Sequence, residues 1–261
     1  MVVHTFHLAR PGLFTMAGAL VRPPTSAAVP GLQHAECMMP MRLGAPLFSP
    51  ARWQIGRLAM FAAWDDEASI DGFLQRTRLG RALAKGWHVR LQFLRRWGSV
   101  AAFDPLPAKA GETDLDAPVV AVTVARMKLL QVPRFIRWGV PVERLVRDHP
   151  GTTLALAAMR PLGTVSTFTV WTSAREMIDM VHGHSAIAAP ERHAVAMVER
   201  RRKDFHFEFT TLRFHCIGEY GAWEGRSAIV PTRRPDPMLP PAIGSAVRVL
   251  SADATPRPHA D

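Results

Sequence analysis

The sequence predicts an α+β fold made of two copies of one βαββαβ unit. Three observations carry that prediction. Runs with strand and helix periodicity follow in the same order on either side of a break at Phe103–Pro118. The stretch FAAWDDEASIDGFL (Phe61–Leu74) lines up with FTVWTSAREMIDMV (Phe168–Val181) when Trp64 is laid on Trp171, so that Ile70, Phe73 and Leu74 fall on Met177, Met180 and Val181. The 261 residues suffice for two such units, and a period near 107 residues is too long for a solenoid and fits duplication of a ferredoxin-like motif.

In the first unit, the apolar run His4–Leu8 reads as a strand, ended by Pro11 and Gly12. Leu13–Val21 follows as a helix, then the loop PPTSAAVPG and a second strand at His34–Met41. A third strand is expected over Gln54–Ala63, carrying Ile55, Leu58, Met60 and Phe61. Asp65 is expected to cap a helix that presents Ile70, Phe73 and Leu74 at helical spacing. Asp66 and Glu67 suit the positive end of the same helix. The last strand, Trp87–Trp97, alternates Trp87, Val89, Leu91 and Phe93 against His88, Arg90 and Gln92.

The second unit repeats the order. Val119–Ala125 is a β-branched strand, and Val132–Arg147 a helix whose face carries Phe135, Trp138, Val142 and Leu145. Strands at Thr153–Ala158 and Val165–Trp171 flank a turn at Arg160–Gly163. Ser173 caps a helix at Ala174–Val181, a further helix spans Glu191–Lys203, and a long strand runs Phe205–Ile217. The units are thus placed at 1–103 and 119–226, with 104–118 as linker. The remainder, 227–261, is expected to be disordered: seven prolines from Pro231 onward and few large apolar residues bury too little surface to offset the entropy of ordering. Within it, a short strand or turn is expected at Val247–Leu250.

Composition narrows the partners. The net charge is +10, and only Lys85, Lys109, Lys128 and Lys203 are lysines, so arginine dominates. Arginine forks onto phosphates and carboxylates, which brings nucleic acid, acidic lipid and carboxylate ligands into question. No RNP-type aromatic pattern or finger spacing accompanies the charge, so the bias reads as background from which one or two arginines are recruited. Cys37 and Cys216 lie far apart with no CxxC, which leaves no basis for a structural zinc site or disulfide scaffold. No apolar run reaches the roughly 20 residues of a membrane span. The segment MVVHTFHLARPGLF lacks a secretion signal's basic start and cleavage site. The expected location is cytoplasmic, with peripheral membrane contact left open.

Chemistry-bearing motifs are few. GxSxG, HExxH, a Walker loop and GxGxxG after a strand are all missing from the sequence. Histidines hold the interest. His182, His184 and His193 cluster in VHGHSAIAAPERHAVAMVERRRKDF. The HxH pair has the spacing of a transition-metal site, and His193, with Val195, Ala196 and Met197 around it, suits a flat macrocycle. Each equally fits an ordinary surface or hydrogen-bonded histidine. His206 and His215 on the last strand read as cross-strand partners. The run Glu199–Lys203 places cations at a helix C-terminus, where the dipole favours them; with Arg95 and Arg96 it forms an anion patch or a solvated face.

Beyond these patterns, RWQIGRLAMFAAWDDEASIDGFL, TFTVW (Thr167–Trp171) and RHAVAMVERRRKDFHFEFTTLRFHCIGEYGAWEG (Arg192–Gly225) resemble the spheroidene monooxygenase family of carotenoid-modifying enzymes. The resemblance covers residues 1–226 and implies that the two units pack as a dimeric α+β barrel within one chain. It also implies a haem-dependent oxygenase of acyclic carotenoids, in which two hydroxylations at one methylene give a gem-diol that loses water to leave a ketone. Such an enzyme takes electrons from a ferredoxin-type donor and holds a hydrophobic substrate in an apolar slot. The family's ligand histidine falls on His193; extra residues around Gly183–Pro190 keep His184 and His182 as alternatives. Arg192 and Arg200 are the candidates for haem propionates or anionic lipid. Phe168, Trp171, Met180, Phe207 and Phe209 are the expected pocket. Two other readings remain: a non-catalytic barrel binding a hydrophobic small molecule, and a cofactor-free oxygenase working through a substrate carbanion.

Overall fold

A computed structural model describes residues 1–46, 49–161 and 163–232. The first half runs β1 (Val3–Ala9), α1 (Leu13–Val21), β2 (Leu32–Met41), β3 (Leu58–Trp64), α2 (Glu67–Arg76), α3 (Arg78–Leu83) and β4 (Trp87–Ser99). The second runs β5 (Val119–Met127), α4 (Val132–Arg147), β6 (Thr152–Arg160), β7 (Thr164–Trp171), α5 (Ala174–His182), α6 (Arg192–Arg202) and β8 (His206–Tyr220). Short 3-10 turns cover Ala101–Phe103 and Leu129–Gln131.

The strands close into one antiparallel ring in the order β1-β3-β2-β6-β7-β5-β8-β4. Each half contributes the same arrangement, β4-β1-β3-β2 and β8-β5-β7-β6. The halves meet at a short seam, where Met39–Met41 face Ala157–Met159, and along the long β4–β8 seam. The α+β barrel expected from the sequence is the observed fold. Closure leaves no unpaired edge, which an open sheet would have to shield.

Alternation along each strand divides the side chains between two layers. Phe6, Leu8, Phe61, Trp87, Leu91, Phe168, Leu212 and Phe214 fill the barrel interior. Outside the first half, Cys37, Met60, Trp64, Ile70 and Phe73 pack beneath the helices. Helix bounds follow local chemistry. Ser173 accepts from the Glu176 amide at 3.2 Å and starts α5, as the sequence predicts. Asp66, not Asp65, caps α2 by accepting from the Ser69 amide at 2.8 Å. Asp65 instead accepts from Gln33 Nε2 at 2.9 Å.

Two further expectations are corrected. The third strand begins at Leu58, because Gln54–Arg57 forms a turn that leaves Ile55 exposed. The C-terminal segment does not leave the fold at 227: Ile229 and Val230 pack into the barrel core, and both of their amides donate to Glu219. The expected disorder from 233 on, and the element at Val247–Leu250, lie outside the described residues. No helix among the described residues is long and apolar enough to cross a membrane.

Candidate functional site

The barrel interior is filled. Phe6 and Phe168 stack with centroids 3.8 Å apart, and Trp87 meets the Phe168 ring edge-on. The five residues expected to form one pocket are therefore separated. Phe168 points into the barrel. Trp171 and Met180 lie outside it, packed with Val119 and Leu145 beneath α5. Phe207 and Phe209 also face outward, because alternation on β8 sends Leu212 and Phe214 inward; Phe207 is exposed and Phe209 half-buried.

The two outer layers differ, and the difference marks the candidate site. On the first half, β1 and β3 are buried on both faces along their whole length. On the second half, a run of outward positions on β5, β6, β7 and β8 carries small side chains: Ala121, Thr123, Ala155, Thr167 and Thr211 are only half-buried. The apolar face of α4, which packs against β6 of this layer, is equally unfinished, with Phe135, Trp138 and Val142 half-exposed and Leu145 alone buried. The helix is held at both ends instead. Arg134 pairs with Glu199 of α6 at 2.7 Å, and Glu143 pairs with Arg52 of the first half at 2.8 Å. A helix clamped at its ends over a floor of alanine and threonine leaves a half-open apolar face, the kind of surface on which a flat hydrophobic ligand is held.

His193 lies beside this layer on α6, which packs against α4 and α5. Its Nδ1 donates to the Val181 carbonyl at 2.9 Å, since a carbonyl can only accept. Nε2 then carries the free lone pair. Burial lowers the His193 pKa; the bond to Val181 opposes this, and nearby His182 adds to the lowering. The ring is neutral at neutral pH, the state a metal ligand needs. His182 and His184 come together with ring centroids 5.9 Å apart, and both are exposed. Among the described residues, no three His, Cys, Asp or Glu converge as a metal cluster.

Of the arginines, Arg192 is exposed on the first turn of α6. Arg200 is half-buried, with its guanidinium 3.7 Å over Phe209 and an ion pair to Asp204 at 3.9 Å. His206, buried between Phe135 and Phe209, faces Met127 across the β5–β8 pair, and His215, exposed, faces Gln92 across the β4–β8 pair, so each is a cross-strand partner as expected. Burial, then Arg200, lower the His206 pKa to about 4.

Sequence reasoning missed two features inside the barrel. Glu36, fully buried, accepts from Arg126 and His34 and lies 3.3 Å from Arg160. His4 is buried against Phe61, Phe93 and Phe214 with neither ring nitrogen bonded. The signal was present for Glu36: in HAECMMPM it shares parity with Met38, an interior position. Elsewhere, an open groove of about 970 Å³ follows the β4–β8 seam, lined by Leu94, Val119, Cys216, Ile217 and Val230 among others. None of the predicted site residues lines it.

Comparison with known proteins bears out the resemblance read from the sequence. The chain is 27% identical over 173 residues to the spheroidene monooxygenase of Rubrivivax gelatinosus, a stretch that covers 65% of this chain and 64% of the relative, less than two-thirds of its length. No family model matches. Among solved structures, an aldoxime dehydratase in complex with butyraldoxime superposes with a TM-score of 0.51 at 8% identity, covering 84% of this chain and 79% of that one. A second aldoxime dehydratase gives 0.45 at 12% identity, covering 82% and 81%. The first of these shows a shared fold.

Proposed function

From the similarity to spheroidene monooxygenase, we propose that this chain is a monooxygenase of hydrophobic substrates that binds haem through His193. The tie between His193 Nδ1 and the Val181 carbonyl, beside a half-open outer layer absent from the first half, carries the proposal. That bond fixes the tautomer and ring plane, and leaves Nε2 as the neutral lone pair that would hold the haem iron. Bound haem would supply oxygen activation; the chain supplies the rest. Ala121, Thr123, Ala155 and Thr167 give a floor low enough for a macrocycle, while Phe135, Trp138 and Val142 of α4 give the opposite apolar wall. Arg200, held flat on Phe209, is placed to pair with a propionate, and Arg192 stands at the rim.

A long apolar substrate of carotenoid type suits the same surface, whose half-exposed aromatic and aliphatic groups a bound polyene would cover. Electrons would come from a ferredoxin-type donor. The test is the absorption spectrum of protein purified from haem-supplied cells. A Soret band is expected, lost in His193→Ala and kept in His182→Ala and His184→Ala. Absence of the band, or its persistence in His193→Ala, overturns the assignment. Oxygen uptake with a polyene substrate then separates an oxygenase from a barrel that only binds.

A further inference from the structure

We infer that the chain docks on anionic membrane surfaces through the corner where β5 leads into α4, an apolar tip ringed by cations. The 3-10 turn there exposes Leu129 (61%) and Leu130 (94%), and the start of β8 beside it exposes Phe207 (75%). These residues belong to one corner. The Lys128 amide donates to the Phe205 carbonyl at 3.0 Å, and the Lys128 ammonium lies 5.7 Å from the Phe207 ring. Arg134 of α4 closes the corner by donating to the Lys203 carbonyl at 2.7 Å.

Large side chains this exposed are costly in water, and three at one corner mark a contact surface. What they contact follows from shape and charge. Leu130 stands almost free, and the groove on the β4–β8 seam does not include it, so the tip projects outward rather than lining that groove. Lys128 and Lys203 flank the tip, neither with an ion pair among the described residues, and the neighbouring Asp204 is met by Arg200 at 3.9 Å. Apolar side chains that insert below a ring of unpaired cations are the arrangement that holds peripheral proteins on lipid of negative charge. The same corner lies at the N-terminal end of α4, at the edge of the half-open layer.

The inference does not depend on haem or on oxygenase activity. The test is co-sedimentation of the full chain with phosphatidylcholine vesicles, with and without phosphatidylserine. Binding is expected only with phosphatidylserine, and it should weaken as salt rises. Replacing Leu129, Leu130 and Phe207 by Ser should lower partitioning at least about tenfold. Lys128→Glu with Lys203→Glu should lower it by about fivefold or more for each charge removed. A second exposed pair, Leu13 and Phe14 on α1, gives the control. β1 and β5 run antiparallel around the ring, so α1 starts at the opposite end of the barrel. Leu13→Ser with Phe14→Ser should leave binding unchanged. Failure to bind phosphatidylserine vesicles overturns the inference, even if the corner proves to bind an acidic protein. So does binding that is lost with the α1 pair and kept with the tip variants. Circular dichroism of each variant confirms that loss of binding is not loss of fold.

Discussion

Phe6 on β1 and Phe168 on β7 stack face to face at 3.8 Å, one ring from each half of the chain. The contact spans the barrel and shows that its interior is a packed core rather than a ligand cavity. Phe168→Ala should cost about 3–5 kcal/mol in urea unfolding, as for other large core truncations. A double-mutant cycle with Phe6→Ala should return a coupling of about 0.5–1.5 kcal/mol. A loss under about 1 kcal/mol would mean that the interior has room to relax, and would return the barrel to consideration as a binding cavity.

Glu36 should govern acid stability. Burial raises its pKa, but the hydrogen bonds from His34 and Arg126, with the charges of Arg126 and Arg160, outweigh that and hold it at about 2. The folded pKa lies below the ordinary value of 4.5, so the stabilisation is present above 4.5 and is lost as pH falls toward 2. The shift corresponds to about 3 kcal/mol. Glu36→Gln should destabilise the protein by about 3–5 kcal/mol at neutral pH, because Arg160 then loses its counter-charge and Arg126 keeps only Glu208 at 3.7 Å. Equal unfolding midpoints for the two proteins at pH 7 would count against this.

His4 works in a higher range. Burial alone pushes its pKa down to about 4, so the unfolded chain takes up the proton first as pH drops below 6.5. Its contribution is full above 6.5 and declines toward pH 4. His4→Phe places a fourth phenyl ring among Phe61, Phe93 and Phe214 and removes two unbonded nitrogens. It should stabilise the protein by about 1–3 kcal/mol and flatten the profile between pH 7 and 5. A variant less stable than the parent at pH 5 would show that the ring nitrogens are satisfied in solution.

The small residues of the second outer layer should be replaceable without harm to the fold. Ala155→Leu and Thr167→Leu add apolar surface to a half-open face, worth about 25 cal/mol per Å² buried. The unfolding midpoint should hold or rise while the Soret band is lost. A retained band would place the macrocycle elsewhere.

Much of the architecture was legible because it rests on periodicity. Leu13–Val21 and Val132–Arg147 are helices with the predicted bounds. The tryptophans that aligned the two halves are structural equivalents: each ends a strand, faces outward and donates its indole N–H to a threonine, Trp64 to Thr5 at 2.8 Å and Trp171 to Thr169 at 2.9 Å. Alternation showed that Phe207 and Phe209 share a face, but not that the face lies outside a closed ring. Helix α3 escaped notice because six residues, RLGRAL, show no period; its cap at Thr77, accepting from the Gly80 amide at 2.8 Å, is a local bond. The half-open layer was invisible for a different reason. Alanine and threonine at outward positions read as ordinary strand residues until the helix above them is seen to stand clear.

The identical strand order of the halves has a consequence for how the chain can be cut. Each half alone is a half-circle whose free borders are β2 and β4, or β6 and β8, and each border pairs with its counterpart in the other half, β2 with β6 and β4 with β8. A permuted chain that begins at the second half and is joined back to the first should regenerate the same circle. Separated halves expressed together should reassemble through hydrogen-bonded borders rather than remain in solution as two small domains.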